Sequence, residues 1–401
     1  MSDRFDAAIS FAQDLIGIPG LSGHEGDVAR RVEQEFTRLG FKDIRSDRVG
    51  NVIGRVPGSG DGATVLLNCH MDVVAEGDHS EWEYPPFEGR IAGGELHGRG
   101  AMDIKGPLAL QTHVAAALAG TAPGDILVAH TVFEERGGLG MKSLLETAEV
   151  APDVCVIGES THGDICIGHR GRAEVEVVIS GKAGHASAPE RAANAIECLP
   201  AVLAGIERAS SGLPSNPILG TSTMVPTMID VLPQSRNVIP DSVVVAIDWR
   251  ILPEMTEEYL LGRVREAVMA QLGTRAPGGC TLTVRMATES QRAYTDYGET
   301  RNLMTPGFLM DPEDPIVRTA CQAVGRRDGA GPAIARPWTF ATDGGWSCGI
   351  HGIPSIGFAP GEERFAHTNR ERLDLAEARW AFDRYLELIP ALQQVAPRRN
   401  G

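Results

Sequence analysis

No stretch of this 401-residue chain approaches the ~20 consecutive apolar residues needed to cross a bilayer. The best run, 107–122, is short and carries Gln111, Thr112 and His113, so no membrane partner is expected. The opening residues Met1-Ser2-Asp3-Arg4 lack the apolar core of a secretory signal. Cysteine is scarce: seven residues, far apart, odd in number, with no Cys-x-x-Cys pair. That pattern argues against a disulfide framework and for a reduced, cytoplasmic protein. There is no basic excess either. Lys and Arg number 37 against 53 Asp and Glu, a formal charge of −16. Such a surface repels phosphate backbones, so no nucleic acid is expected as a partner. Internal repeats and low-complexity segments are also lacking.

What is present is ordinary globular composition, 42% apolar and 22% charged, over a length that suits two or three domains. Helical periodicity covers 5–16 and 25–39, the second closed by Gly40. Strand-like stretches 51–56, 63–68, 126–133 and 154–158 alternate with helical 107–118 and 139–148. This predicts an α/β layer with a mixed, largely parallel sheet flanked by helices. The middle of the chain reads differently: strand 174–180, helix 194–209, strands 221–229 and 243–251, helix 256–272 and strand 281–287. That β-α-β-β-α-β order is ferredoxin-like and predicts an inserted α+β module. Helices at 315–326 and 373–392, with a strand at 355–358 between them, return to the first pattern. The expected division is a first catalytic part at 1–173, an insertion at 174–288 and a second catalytic part at 289–401.

Five short constellations could carry chemistry. His70-Met71-Asp72 ends an apolar strand, with two side chains on one face. A His that binds metal through one ring nitrogen usually donates its other N–H to a carboxylate or carbonyl, which Asp72 could supply. Asp103, in the glycine-rich stretch 98–106, could bridge two cations through its two oxygens; the plainer role is a helix N-cap. Glu134-Glu135 follow a strand, and on extended backbone they would point in opposite directions, one as ligand and one as base. Glu159 ends another strand, where ligands of open α/β sheets collect. His367 lies in the loop before the last helix. Each signal alone is more often a solvated strand end or loop. Together, His and carboxylates without Cys suit Zn²⁺ in a catalytic site, with Mn²⁺ and Co²⁺ as alternatives.

These stretches, with Gly168-His169-Arg170-Gly171, Gly184-His185 and Asn237-Val238-Ile239-Pro240, resemble the M20 family of dinuclear metallohydrolases in order and over nearly the whole chain. That family includes glutamate carboxypeptidase, aminoacylase, acetylornithine deacetylase and succinyl-diaminopimelate desuccinylase. Ser187-Ala188-Pro189 and Gly357-Phe358-Ala359-Pro360-Gly361 look most similar to its YgeY-like branch. The resemblance implies two divalent ions per subunit. His70 and Glu159 would hold one, Glu135 and His367 the other, and Asp103 would bridge them. Asp72 would orient His70, Glu134 would be the general base, and the peptide bond after Asp103 would be cis. A water between two cations loses its proton near neutral pH, and Glu134 could pass that proton to the leaving amine. His185, Asn237 and Arg250 match positions that contact substrate. His185 would reach a neighbouring subunit's site, which implies a homodimer joined through a lid-like insertion.

The expected activity is hydrolysis of an amide bond in a small carboxylate-bearing substrate, an N-acyl amino acid or dipeptide. An aromatic amino-acid conjugate is the alternative. The late stretch Thr342-Asp343-Gly344-Gly345 lacks the Arg of the desuccinylase pattern, which argues against a succinylated substrate. Glu159, where some members have Asp, sides with acylases and carboxypeptidases. Two rival readings are weaker. Gly345-Trp346-Ser347-Cys348-Gly349 fits the Gly-x-Ser-x-Gly nucleophile elbow, but lacks an apolar strand before Ser347, and its acid would be Asp374, which follows His367 where the elbow's chain order puts the acid before the His. A non-catalytic binding protein would be expected to have lost a ligand or the base, and every position here is filled.

Overall fold

The structure is a computed structural model that describes residues 2–272 and 279–398. The ends of the expected first and last segments, 1 and 399–401, and positions 273–278 of the expected insertion lie outside it. In chain order the helices are α1 (Ser2–Ile16), α2 (Gly26–Leu39), α3 (Lys105–Ala117), α4 (Leu139–Glu146), α5 (Leu199–Ser210), α6 (Glu257–Leu272), α7 (Pro315–Val324) and α8 (Leu375–Val395). The strands used below are β1 (Lys42–Ser46), β2 (Val52–Val56), β3 (Val65–His70), β4 (Ile126–Thr131), β5 (Val154–Ile157) and β6 (Ile165–Cys166). They continue with β7 (Gly171–Ser180), β8 (Gly184–His185), β9 (Thr223–Leu232), β10 (Val238–Ile239) and β11 (Ser242–Ile251). The last are β12 (Thr281–Met286), β13 (Met304–Thr305), β14 (Ala335–Arg336) and β15 (Ser355–Gly357). None of the described helices is long and apolar enough to cross a membrane.

The chain forms two compact units. One takes the residues up to His169, Gln291–Glu299 and those from Phe308 on; the other takes Arg170–Ser290 and Thr300–Gly307. The return at Thr300–Gly307 is a detour that a single uninterrupted insertion does not contain. Its cause is local pairing, because β13 joins the start of β7 with Arg172 opposite Thr305 and Ala173 opposite Met304.

The first unit is built on an eight-stranded sheet, ordered β1-β2-β4-β3-β5-β15-β6-β14. Parallel pairs hold its middle: β3 lies between β4 and β5, and β5 pairs with β15. Antiparallel β1 and β2 extend one side. Every residue of β3 and β5 is buried, as expected of parallel strands covered on both faces. Helix α3 is buried almost all round, from Lys105 to Ala116. Helix α2 turns Val28, Ala29, Val32 and Phe36 inward at helical spacing and stops at Gly40, whose φ of 82° suits a residue without Cβ. Because β3, β4 and β5 run the same way, their carboxyl ends sit together: His70 is opposite Thr131, and Asn68 opposite Ile157.

The second unit has the expected β-α-β-β-α-β order. Its antiparallel sheet runs β9-β11-β7-β12. Val175, Val177 and Ile179 of β7 and Val243, Val245 and Ile247 of β11 are buried at period two. Val202 and Ile206 of α5 and Leu260, Val264 and Val268 of α6 are buried too. A Cβ on Gly205 would come within 2.6 Å of Val268 Cα, so the close approach of these helices requires glycine. The helix expected over 194–209 divides into a 3-10 turn, Ala195–Cys198, and α5. Pro200 explains the break: it has no N–H to continue an earlier turn, yet is well suited to a first helical turn.

On α2, Glu35 is buried in the first unit. It accepts from Arg31 Nη1 (3.0 Å) and lies 2.9 Å from His113 Nε2, with Arg38 as a third partner. Burial alone would raise this carboxyl, but bonds from His113, Arg38 and Arg31 hold it well below the usual range. A carboxyl depressed on folding stabilises the native state above its unfolded pKa, and that stability is lost as pH falls. Glu35→Gln is therefore expected to lower the melting temperature at neutral pH. It should also flatten the fall between roughly pH 5 and pH 2, checked by thermal melts across that range.

Candidate active site

His70 is the last residue of β3 and is buried. Its Nδ1 lies 2.8 Å from the backbone oxygen of Asp72, and 3.5 Å from the nearer carboxylate oxygen. Asp72 thus meets the imidazole through its carbonyl rather than its carboxylate, which fixes the proton on Nδ1 and leaves Nε2 as the free lone pair. The Asp72 carboxylate does something the sequence did not reveal. It accepts from Glu134 N (3.1 Å), Glu135 N (3.2 Å) and Ser22 Oγ (2.6 Å). The two glutamates are not on extended backbone, as expected above. The strand stops at Thr131, Phe133 takes φ 56°, and Glu134-Glu135 enter a turn anchored on Asp72.

Asp103 lies just ahead of α3 but does not cap it, since Ile104 is the N-cap and no side chain caps that end. The Asp103–Ile104 peptide bond is cis. Asp103 Oδ1 is 3.3 Å from His70 Nε2, and Oδ2 is 3.2 Å from His367 Nε2. Glu159 Oε1 is also 3.3 Å from His70 Nε2, and Glu135 Oε2 is 3.0 Å from His367 Nε2. Two triads result, His70-Asp103-Glu159 and Asp103-Glu135-His367, each with its donor atoms within 4.8 Å of one another. Asp103 belongs to both. Glu134 ligates in neither; its Oε2 stands 4.0 Å from His70 Nε2.

The electrostatics describe a place that needs positive charge. Burial, with the neighbouring acids, pushes Glu134 well above the carboxylate range, raises Glu135 and lifts Glu159 to about 7. Burial opposes the charge of Asp103 as well, but the two imidazoles beside it hold it low. The same carboxylates raise the His367 imidazole to about 10. His70 Nε2 is buried and has no hydrogen-bond partner among the described residues. An orphaned imidazole nitrogen facing clustered carboxylates, with no thiolate among the donors, fits a hard or borderline divalent cation.

Residues 66–390 match the family described as Peptidase family M20/M25/M40. The chain belongs to that family. It is a hydrolase acting on C–N bonds. The protein YgeY of Escherichia coli (strain K12) is 30% identical over 366 residues, which are 90% of this chain and 88% of that protein. A succinyl-diaminopimelate desuccinylase of Methylorubrum extorquens (strain PA1) is 28% identical over 363 residues, 84% of this chain and 86% of that one. Among solved structures, the YXEP protein of Bacillus subtilis, described as a dinuclear metal binding peptidase from M20 family, shares the fold. Its TM-score is 0.71 at 14% identity, covering 99% of this chain and all of that one.

In this M20 hydrolase the remaining expected site residues lie in the second unit. His185 is exposed on β8, opposite Val238 of β10, and its Nδ1 lies 2.7 Å from Ser187 Oγ. Asn237 is its neighbour, because Ala186 N donates to Asn237 O (3.1 Å). Arg250 sits on β11, opposite Arg172 of β7 and Thr223 of β9. There its Nε donates to Asp248 Oδ1 (2.9 Å), while Arg172 Nε donates to Oδ2 (2.8 Å). In the first unit, Arg336 is occupied by Asp164 (2.8 Å), Glu363 (2.8 Å) and the Thr161 carbonyl (2.9 Å).

Three buried acids of the first unit had no role in the sequence reading. Glu25 Oε1 accepts from Phe133 N (3.2 Å), and burial next to Asp72 pushes it up to about 8. Asp343 Oδ2 accepts from Thr131 Oγ1 (2.7 Å). Glu371 accepts from the backbone of Met102 and Asp103. Nothing in Asn369-Arg370-Glu371-Arg372 separates that acid from an ordinary charged loop.

The elbow reading fails on geometry. Ser347 is buried within a helical turn, Gly345–Ile350, and its Oγ lies 2.8 Å from Ser355 Oγ. Asp374 caps α8 by accepting from Glu377 N (2.7 Å). Ser347→Ala is expected to lower stability by about 1 kcal/mol, the worth of one buried hydrogen bond, and to leave turnover intact. Loss of activity in a folded S347A protein would restore the serine reading.

Proposed function

We propose that this M20 hydrolase cleaves the amide bond of a small substrate bearing a free carboxylate, an N-acyl amino acid or a dipeptide, with two divalent ions, Zn²⁺ first among them. The observation that carries this is Asp103, one carboxylate shared by two triads of donors. His70, Asp103 and Glu159 would hold one ion, and Asp103, Glu135 and His367 the other. The ions would make a water acidic and polarise the substrate carbonyl. Glu134 stands beside the donors without joining them. Its raised proton affinity suits a group that takes a proton as the water attacks and returns it to the leaving amine. Asp72 keeps Glu134 and Glu135 in place by holding both their amides.

Arg250 grips the substrate carboxylate. Its bond to Asp248 uses Nε, leaving both terminal nitrogens for a paired contact. His185 and Asn237, side by side and exposed, complete the site of a second copy, and the second unit acts as lid and dimer contact. Support comes from β9, an edge strand whose Val225, Met228, Ile229 and Leu232 are all exposed. Such an unpaired apolar edge is a ready surface for strand pairing. The seven free cysteines suit the reducing cytoplasm.

A screen of Zn-, Mn- and Co-loaded protein against N-acyl amino acids, dipeptides and aromatic conjugates tests the reaction class. Glu134→Gln should keep two metals per chain by elemental analysis and lose turnover by about 10²–10⁴-fold. Full activity in that variant would remove Glu134 as the base. Mixing inactive His185→Ala with inactive Glu134→Gln and allowing subunits to exchange should restore activity, because a mixed dimer then has one intact site. No recovery in verified mixed dimers would place His185 outside the neighbour's site.

A further inference from the structure

The first unit contains an ion pair buried directly behind Asp103. Glu371 is 1% exposed and Arg99 2%. Glu371 Oε2 accepts from Arg99 Nη1 at 2.6 Å. Arg99 is held in turn by the Ala75 carbonyl (3.3 Å from Nη2) and by the face of Trp82, 5.1 Å from its guanidinium carbon. The other oxygen, Oε1, turns toward the chain that carries the shared carboxylate. It accepts from Met102 N at 3.2 Å and Asp103 N at 3.1 Å.

These two amides precede α3 and lie outside its hydrogen-bond ladder, so they need an acceptor from elsewhere. Glu371 supplies one oxygen for both. The backbone of Asp103 is thereby tied to the segment four residues beyond His367. Two donors of the second triad, brought together from positions 264 residues apart, are linked behind the site by one carboxylate as well as in front of it.

We propose that Glu371 is a positioning residue: by accepting from the amides of Met102 and Asp103 it sets where the Asp103 carboxylate stands, and Arg99 sets where Glu371 stands. This rests on the dinuclear reading above and assigns the pair no contact with substrate. Partners of this kind, one shell behind a ligand, typically change metal affinity 10–100-fold when removed.

The test must separate the acceptor from the ion pair, because deleting one member of a buried pair strands the other. Two double variants do so. R99M/E371Q removes both charges and keeps an oxygen for the two amides. R99M/E371L removes both charges and the oxygen. The readouts are zinc stoichiometry and dissociation constants of the full-length chain by chelator competition, with thermal melts of the metal-free proteins.

The unsubstituted chain should bind two zinc ions, and R99M/E371Q should match it within about threefold. R99M/E371L should bind at least one of the two ions 10–100-fold more weakly at a similar metal-free melting temperature. Equal affinities in the two folded variants would overturn the assignment. A chain that never binds a second ion would sink the dinuclear reading and this inference with it, and is recognised because the unsubstituted protein already fails. Should the Leu variant not fold, R99M/E371M makes the same comparison with a side chain that adapts to irregular space.

Discussion

The constraint that governs this molecule is the mutual repulsion of the carboxylates gathered around Asp103. At an effective dielectric of about 20, two unit charges about 4 Å apart repel by about 4 kcal/mol. Asp103, Glu134, Glu135 and Glu159 form such a group, mostly withdrawn from water. A fold keeps such a group only if it is rigid enough to resist the repulsion or if protons or cations neutralise it. Here the first condition is visible in the framework, and the second is written into the donor set.

The framework consists mainly of backbone hydrogen bonds accepted by other acids. Asp72 takes the amides of Glu134 and Glu135, Glu25 takes that of Phe133, and Glu371 takes those of Met102 and Asp103. Asp103, Glu134 and Glu135 are thus each aimed by an outer acid that grips the main chain rather than the side chain. The arrangement has a simple physical merit. An amide bond orients the donor residue while leaving its side-chain oxygens free for other work. Placement at the ends of parallel β3, β4 and β5 adds to this, because a buried central sheet is the stiffest part of an α/β layer and its carboxyl edge is where loops converge.

Much of this was legible beforehand, and for identifiable reasons. The longer strands and helices of both units carry strong periodicity, so their existence and order could be read; the errors fell at ends, at Pro200 and at β1, β6 and β14, which were not foreseen. His70, Asp103, Glu135, Glu159 and His367 stood out because their motifs occur in a fixed order along a resembled family. Less legible was which atom of Asp72 meets His70, because two-residue spacing allows carbonyl and carboxylate alike. The turn at Glu134-Glu135 was misread as extended, because nothing in Val132-Phe133 announces a positive φ. Glu25, Asp343 and Glu371 were passed over, because an acid gains meaning only from what surrounds it.

By itself the sequence determined the layer architecture, the inserted β-α-β-β-α-β unit and the kinds of side chain available for chemistry. Those follow from local periodicity and residue identity, which are properties of neighbours along the chain. Only the tertiary structure decided that Asp103 faces two imidazoles at once, that Ser347 is sealed against Ser355, and that Arg250 and Arg172 share the Asp248 carboxylate. Those are distances between segments brought together by folding, and no pattern of neighbouring residues encodes a distance through space.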